Sequence, residues 1–205
     1  MSTSNRITKK SRQGGFTLVE IAIVLVIIGL ILGGVLQGQT MIENAKYKKF
    51  VKEIDSYRTA YYTFQDMYQA LPGDMLNTAL LDASAVPGDG DGLIEGSTCT
   101  AATEESCKVW SHLRYAGLIP GDPATTGPTS RPTHAYGAPV DSFLYTSGGN
   151  GISKNKIYIN LVPGDVAQRY DNEYDDGDGN SGNISQSGNS STYVTTGLIT
   201  VVAEL

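Results

Sequence analysis

The stretch GGFTLVEIAIVLVIIGLILGGVLQ, residues 14–37, is the most apolar part of this chain and decides its fold. It carries one charged residue, Glu20, and no charge follows between Ile21 and Ile42. As a helix, residues 16–36 would extend about 31 Å, which is the thickness of the hydrocarbon core of a bilayer. The pattern therefore predicts a membrane-spanning helix rather than the buried helix of a soluble domain.

The residues before this stretch are basic. Residues 1–15 contain no acid and four cations: Arg6, Lys9, Lys10 and Arg12. Such a flank stays on the cytoplasmic side, which places the rest of the chain outside. A secretory signal peptide is the alternative, but the apolar run is long for one and no A-x-A-like site closes it. Cleavage after the pair Gly14-Gly15 would instead remove the basic leader and keep the helix.

The segment from Gly14 to Glu20, followed by the apolar run, resembles the N-terminus of the type IV prepilin family, which includes the pseudopilins of type II secretion. The resemblance covers about residues 9–45. It implies cleavage between Gly15 and Phe16 by a prepilin peptidase, which also methylates the new N-terminus of Phe16. It further implies assembly with identical or homologous subunits on an inner-membrane platform. The chain would reside in the bacterial inner membrane first, and then in an extracellular pilus or a periplasmic pseudopilus.

Glu20 supports this interpretation through its chemistry. A carboxylate in a membrane helix is costly, so it marks a functional site by default. Two alternatives would explain the carboxylate without a functional role. In one, the Glu20 side chain extends to the lipid headgroups; in the other, its negative charge is stabilised by the N-terminus of the helix. Cleavage leaves a cationic amine on Phe16, and the amine of a staggered neighbour could pair with Glu20, which would neutralise both charges. In the family, the matching Glu has this assembly role.

The helix is predicted to continue past the membrane. Apolar and aromatic residues recur at spacings of three and four, which is typical of one buried helix face; they are Tyr47, Phe50, Ile54, Tyr57, Tyr61, Phe64 and Tyr68. Leu71-Pro72-Gly73 ends the pattern, so the helix should run over about residues 16–70. Its stripe is expected to pack on a sheet.

The remaining residues predict a small α+β head. A short helix is expected over 104–116, and strands over 142–146, 156–162 and 193–202. Four Pro-Gly-Asp tripeptides, beginning at residues 72, 87, 120 and 163, predict turns, and residues 171–191 predict a polar loop. The fold class is thus a long N-terminal helix packed on a small antiparallel sheet. The predicted divisions are a leader at 1–15, a membrane and filament-core helix at 16–43, and a head at 44–205.

Composition argues against two classes of function. The chain has 205 residues, a formal net charge of −6 and only two His. An acidic chain argues against a nucleic-acid partner, and so few His leave little material for a catalytic centre. A structural pilus subunit is predicted first and a type II secretion pseudopilin second. A membrane-anchored enzyme or receptor is the third hypothesis, although no catalytic constellation is visible.

Cys99 and Cys107 lie eight positions apart in the exported region. A disulfide is predicted between them because oxidising compartments let such bonds persist. A reactive or metal-binding pair is the alternative, but this spacing is not that of a zinc site.

The acidic loops are the last candidate site. Asp176-x-Asp178-x-Asn180 matches the first half of an EF-hand loop, but Ser181 replaces the loop Gly and the terminal Glu is missing, so an EF-hand is excluded. These residues, with Asp171 and Asp175, still offer the oxygen ligands that Ca²⁺ prefers. The loop 89–95 is acidic as well. The predicted cofactor is Ca²⁺ at low affinity, and the alternative is a solvated acidic surface.

Overall fold

The computed structural model describes residues 15–96, 99–147, 153–188 and 190–205. The basic leader predicted at residues 1–15 therefore lies almost wholly outside the described residues, and its removal stays a prediction. The chain divides into two compact units, Met1–Asn44 and Ala45–Leu205. The long helix α1, Leu18–Tyr68, contributes to both units.

The first part of α1 is apolar and exposed. Every side chain from Phe16 to Leu36 is exposed, although nearly all are apolar. Among the described residues, α1 is the one helix that is long and apolar enough to cross a membrane. The structure thus agrees with the predicted apolar N-terminal helix.

The second part of α1 forms one side of the core of the head. The predicted stripe is confirmed, since its members are buried as far as Phe64 and Tyr68 is half-buried. Aromatic rings meet edge to face along it: Tyr57 packs on Trp110 at 5.4 Å between ring centroids, and Phe50 packs on Tyr170 at 5.6 Å. Such contacts add to the burial of large apolar rings. The helix ends at Tyr68, two residues before the predicted end.

The sheet is antiparallel and has the strand order β1-β2-β4-β3. Its strands are β1 (Val140–Ser147), β2 (Ser153–Pro163), β3 (Ile184–Gln186) and β4 (Leu198–Glu204). The register sets Ile157 opposite Ala203 and Ile159 opposite Val201, and all four side chains are fully buried. Alternation along β2 and β4 therefore supplies the apolar face on which the core is built. The predicted α+β class is confirmed.

Two further helices complete the head. Helix α2, Glu105–Tyr115, matches the predicted helix, and Gly117 follows it with φ +70°, as a C-terminal glycine should. Helix α3, Gly164–Tyr174, was not predicted, because Pro-Gly-Asp at 163 indicated a turn. Short 3-10 turns occupy Thr78–Leu80 and Gly127–Ser130.

Three predicted elements need correction. The turn at 163–165 is wrong, since Gly164 begins α3 directly after β2 ends. The polar loop 171–191 is interrupted by the end of α3 and by β3. The last strand begins at Leu198 rather than at 193, because the side chain of Tyr193 turns inward to Asp171 instead of continuing the strand.

Candidate functional sites

The N-terminus of α1 is held by a pair of residues. Thr17 precedes the helix, and its backbone N–H and hydroxyl both donate to Oε2 of Glu20, each at 2.8 Å. The backbone N–H of Glu20 in turn lies 3.3 Å from the hydroxyl oxygen of Thr17. This reciprocal arrangement is a capping box, which satisfies amides that the first helical turn leaves unpaired.

Sequence reasoning missed the role of Thr17. The signal was present, because Thr-x-x-Glu directly before an apolar run is the pattern of a capping box. The structure therefore gives Glu20 a role within its own chain. That role occupies Oε2, while Oε1 accepts no hydrogen bond from the described residues.

The predicted cleavage site is open. Gly15 is exposed, and an added Cβ there would meet nothing within 4 Å. Phe16 is 85 % exposed. The peptide bond between them therefore lies in an accessible segment just before the helix begins, as a protease substrate requires. Cleavage itself stays a prediction.

The head brings three of the predicted metal-binding residues together. Asp171 on α3 and Asp175 and Asp176 just after it each offer one carboxylate oxygen, and these oxygens lie within 4.8 Å of one another. We call this group the α3 carboxylates. Asp175 accepts a hydrogen bond from the amide of Ile184 at 2.7 Å, which ties the group to β3.

Asp171 is the unusual member of this group. It is fully buried, and its Oδ2 accepts a hydrogen bond from the Tyr193 hydroxyl at 2.9 Å. Its Oδ1 is buried, and among the described residues no donor forms a well-aligned hydrogen bond to it, although the amide of Gly177 lies near the carboxyl. Burial raises the pKa of the Asp171 carboxyl, and the charges of Asp175 and Asp176 add to that rise, whereas the Tyr193 hydroxyl and the amide of Gly177 oppose it. A buried carboxylate oxygen without a partner is costly, so it needs a proton or a cation.

The other two predicted ligands lie elsewhere in the loop. Asp178 accepts a hydrogen bond from the amide of Asn180 at 3.0 Å and is not part of the α3 carboxylates. The side chain of Asn180 is exposed. Asp176 accepts bonds from the amide of Asp178 and from the Ser181 hydroxyl, which lower the pKa of its carboxyl. The structure thus supports three of the five predicted residues as one group.

A second acidic group lies where the loop 87–95 meets the segment that follows α1. It consists of Asp74, Asp89 and Asp91, which also place carboxylate oxygens within 4.8 Å of one another. Here the buried member is fully satisfied: Asp74 accepts the amides of Gly90 at 2.7 Å and Gly92 at 3.0 Å. These hydrogen bonds attach the loop to Asp74, so the position of the buried carboxylate is explained without a bound cation.

Glu105 supports the same loop from α2. Its two carboxylate oxygens accept the amides of Asp89 at 3.0 Å and Glu95 at 3.2 Å. Burial raises the pKa of both the Asp74 and the Glu105 carboxyls, and the loop amides oppose that rise. The backbone of the loop 89–95 is therefore held by two carboxylates from outside it, Asp74 and Glu105.

The predicted disulfide is present. The sulfurs of Cys99 and Cys107 are 2.00 Å apart, and both residues are buried. The bond joins the loop after residue 96 to the first turns of α2.

Comparison with known families agrees with the geometry of the N-terminus. Residues 10–36 match the family model described as the prokaryotic N-terminal methylation motif. Neither the curated proteins nor the solved structures gave a match.

Proposed function

We propose that this chain, which carries the prepilin-type cleavage and methylation motif of type IV pilins and pseudopilins, is a structural subunit of a type IV pilus-like filament. One observation carries the proposal: the matched motif includes the first part of α1, residues 18–36, whose apolar side chains are all exposed. Water cannot be the partner of such a surface. Lipid covers it before assembly, and the same helices of other subunits cover it afterwards.

Processing creates the group that drives assembly. A prepilin peptidase cuts the exposed bond between Gly15 and Phe16, and the new α-amino group of Phe16 is cationic and stays so when it is methylated. In a neighbouring subunit, Oε1 of Glu20 accepts this amine while Oε2 keeps its capping bonds to Thr17. Pairing removes two isolated charges from an apolar surrounding, which would otherwise be very costly.

The partners follow from this chemistry. They are the peptidase, which also methylates, an inner-membrane assembly platform, and identical or homologous subunits. A periplasmic pseudopilus of type II secretion would use the same N-terminal chemistry, and filaments seen by electron microscopy outside the cell separate the two assemblies. The role is structural rather than enzymatic.

Substitution of Glu20 tests the proposal. Gln can take the place of Glu in a capping box but carries no charge, so Glu20→Gln keeps the cap and removes the ion pair. Glu20→Leu removes both, and Thr17→Val weakens the cap alone. We expect filament yield to fall at least tenfold for both Glu20 variants and only modestly for Thr17→Val, with membrane insertion intact in all three. Normal filaments from Glu20→Leu would overturn the proposal, and normal filaments from Glu20→Gln alone would reduce Glu20 to a capping residue.

We further propose that the α3 carboxylates hold a Ca²⁺ ion that firms the head outside the cell. The supporting observation is Oδ1 of Asp171, which is buried, lies beside two further carboxylates and accepts no well-aligned hydrogen bond from the described residues. Three oxygens are fewer than the six to eight that Ca²⁺ takes, so backbone carbonyls and water complete the shell. With so few protein ligands, the dissociation constant should be that of extracellular modules, roughly 10⁻⁴–10⁻³ M.

Thermal unfolding of the full chain in detergent tests this site. At a free Ca²⁺ concentration ten times the dissociation constant, binding adds about 1.4 kcal/mol, which raises Tm by about 3–5 °C relative to excess EDTA. Asp171→Asn should remove the shift while leaving the acceptor for Tyr193. Asp89→Asn, in the second acidic group, is the matched control and should keep it. Identical melting of the wild-type chain with and without Ca²⁺ would show that the α3 carboxylates are only an acidic surface.

A further inference from the structure

The basic residues of the head are concentrated at one point in the sequence. No Lys or Arg occurs from Phe16 to Ala45, and then Lys46, Lys48, Lys49 and Lys52 follow within seven positions. After the leader the chain holds eleven basic residues against 21 acidic ones, so four of the eleven fall in this short segment. A basic cluster in an otherwise acidic head needs a physical reason.

The structure exposes all four lysines on α1. Lys49 pairs with Glu53 at 3.6 Å. The other three, Lys46, Lys48 and Lys52, form no ion pair with the described residues and are exposed. Their charges therefore face solvent and are available to a partner outside the chain.

Two of these lysines line an open groove between α1 and α3. The groove has a volume of about 410 Å³, and Lys48 and Lys52 form one wall with Val51. On the other side lie Arg169 and Tyr174, and Tyr174 is 55 % exposed. The groove thus combines cations, an apolar floor and an exposed aromatic rim.

The two carboxylates of the groove already have partners. Glu173 accepts the Tyr47 hydroxyl at 2.6 Å and Nε of Arg169 at 2.9 Å. Asp55 pairs with Arg58 at 3.6 Å. Arg169 also lies 3.8 Å from the centre of the Tyr47 ring, which fixes its position in the groove. The free charge that the groove offers to a ligand is therefore positive.

We propose that this lysine groove binds the phosphate groups of anionic phospholipids in the membrane that α1 enters. Chain connectivity argues for this partner, because Lys48 and Lys52 follow Ile42, the last residue of the uncharged run, by only six and ten residues of the same helix. At a rise of 1.5 Å per residue, they lie at most about 15 Å along the helix from the end of the uncharged run. The basic leader is predicted to stay in the cytoplasm, so the lipids concerned are those of the leaflet on the side of the head. Where that leaflet carries anionic lipids, their negative surface potential attracts lysines, and tyrosine is enriched at the same depth. The proposal goes beyond filament assembly, since it concerns the chain before assembly.

Amine labelling of the full chain in vesicles tests the groove. The chain is reconstituted in phosphatidylcholine alone or with a third of the lipid as phosphatidylglycerol, and a membrane-impermeant acylating reagent is followed residue by residue with mass spectrometry. In the phosphatidylglycerol vesicles we expect labelling of Lys48 and Lys52 to slow about fivefold. Lys108 and Lys156, elsewhere in the head, are internal controls and should not change. About 0.5 M NaCl should restore the labelling rate, because salt screens such contacts.

Variants and filaments complete the experiment. In the wild type, labelling of the neighbouring Lys46 should also slow in the phosphatidylglycerol vesicles. The double variant Lys48→Gln/Lys52→Gln should lose this slowing at Lys46, whereas Lys108→Gln should keep it. Equal labelling rates in the two kinds of vesicle would overturn the proposal. Lysines that are protected only in assembled filaments would also overturn it, since their partner would then be the acidic surface of a second copy.

Discussion

The two halves of α1 belong to one continuous helix but find their partners in different places. Residues 18–36 are apolar on every side and wholly exposed, whereas residues 47–64 bury one stripe and leave the other faces polar. A helix that is apolar all round belongs inside a membrane or an assembly, and an amphipathic one belongs at the edge of a core. The comparison shows that the first half is built for other molecules and the second half for its own head.

One substitution made in both halves should separate these roles. Ile54 is fully buried and Ile27 is exposed, although both lie in α1. We expect Ile54→Ala to reduce the free energy of unfolding of the head by about 2–5 kcal/mol, because it leaves a cavity in a packed core. Ile27→Ala should change it by less than about 0.5 kcal/mol. Trp110, the only Trp and buried against Tyr57, reports unfolding of the head by its fluorescence in urea.

The deciding quantity is the difference between Ile54→Ala and Ile27→Ala in the loss of free energy of unfolding. Filament yield should fall more for Ile27→Ala than for Ile54→Ala, since Ile27 lies on the surface that we propose other subunits contact. Equal destabilisation by Ile54→Ala and Ile27→Ala would mean that the first half packs on the head, and the division between the halves would be lost.

Loss of the disulfide should act on the head alone. Closing a loop of this size restricts the unfolded chain by about 2–3 kcal/mol, so Cys99→Ser/Cys107→Ser should lower the free energy of unfolding by that amount. The first half of α1 should keep its helix content by circular dichroism in detergent. Reducing agent should destabilise the wild type and leave the variant unchanged; an equal response of both would contradict the structural role of the bond.

The smallest expected effect is a dependence on pH through buried histidines of the head. The ring of His112 accepts the amide of Gly73 at Nδ1 and lies 2.8 Å from the carbonyl of Val86 through Nε2, which requires the neutral form. Burial lowers the pKa of His112, and of His134 as well. Unfolded His takes up a proton near pH 6.5, so the unfolded state binds more protons below that pH and stability falls.

Melting of the head at a series of pH values checks the sign. Tm should be steady above about pH 7 and fall as the pH drops through about 6.5. The buried Asp74 and Glu105 carboxyls have raised pKa values, so just above their ordinary range near pH 4 the folded state binds more protons than the unfolded state. In that lower pH range their contribution to stability increases as the pH falls, which is opposite to the effect of the histidines. His112→Gln, which can still accept and donate, should flatten the slope. A slope unchanged in that variant would exclude His112 as its source.

The sequence predicted most where its periodicity was long. The apolar run and the aromatic stripe from Tyr47 to Phe64 gave α1 and its buried face, because many residues repeat one pattern. Helix α3 was missed because Pro163-Gly164 suggested a turn, yet Val166, Ala167, Tyr170 and Tyr174 carry helical spacing directly after it. Strand β3 has three residues, two of them polar, which is too short for any period to show.

The candidate sites also differ in how far local sequence predicts them. Glu20 and the disulfide could be predicted from local sequence, and the cap on Thr17 could have been. The three α3 carboxylates lie within six residues, so their grouping was visible. The burial of Asp171 and its hydrogen bond from Tyr193, 22 residues away, depend on tertiary packing. In the second acidic group, the hydrogen bonds that the amides of Gly90 and Gly92 donate to Asp74 likewise come from tertiary contacts that no local pattern encodes.

The central claim is that the first half of α1 becomes the N-terminus of an assembled subunit. Intact-mass and N-terminal peptide mass spectrometry of the chain from membranes and from sheared fibres measures this directly. We expect a chain that begins at Phe16 and is heavier by one methyl group, about 14 Da, with Gly15→Val blocking the cut. Assembled fibres in which the chain still begins at Met1 would contradict the account.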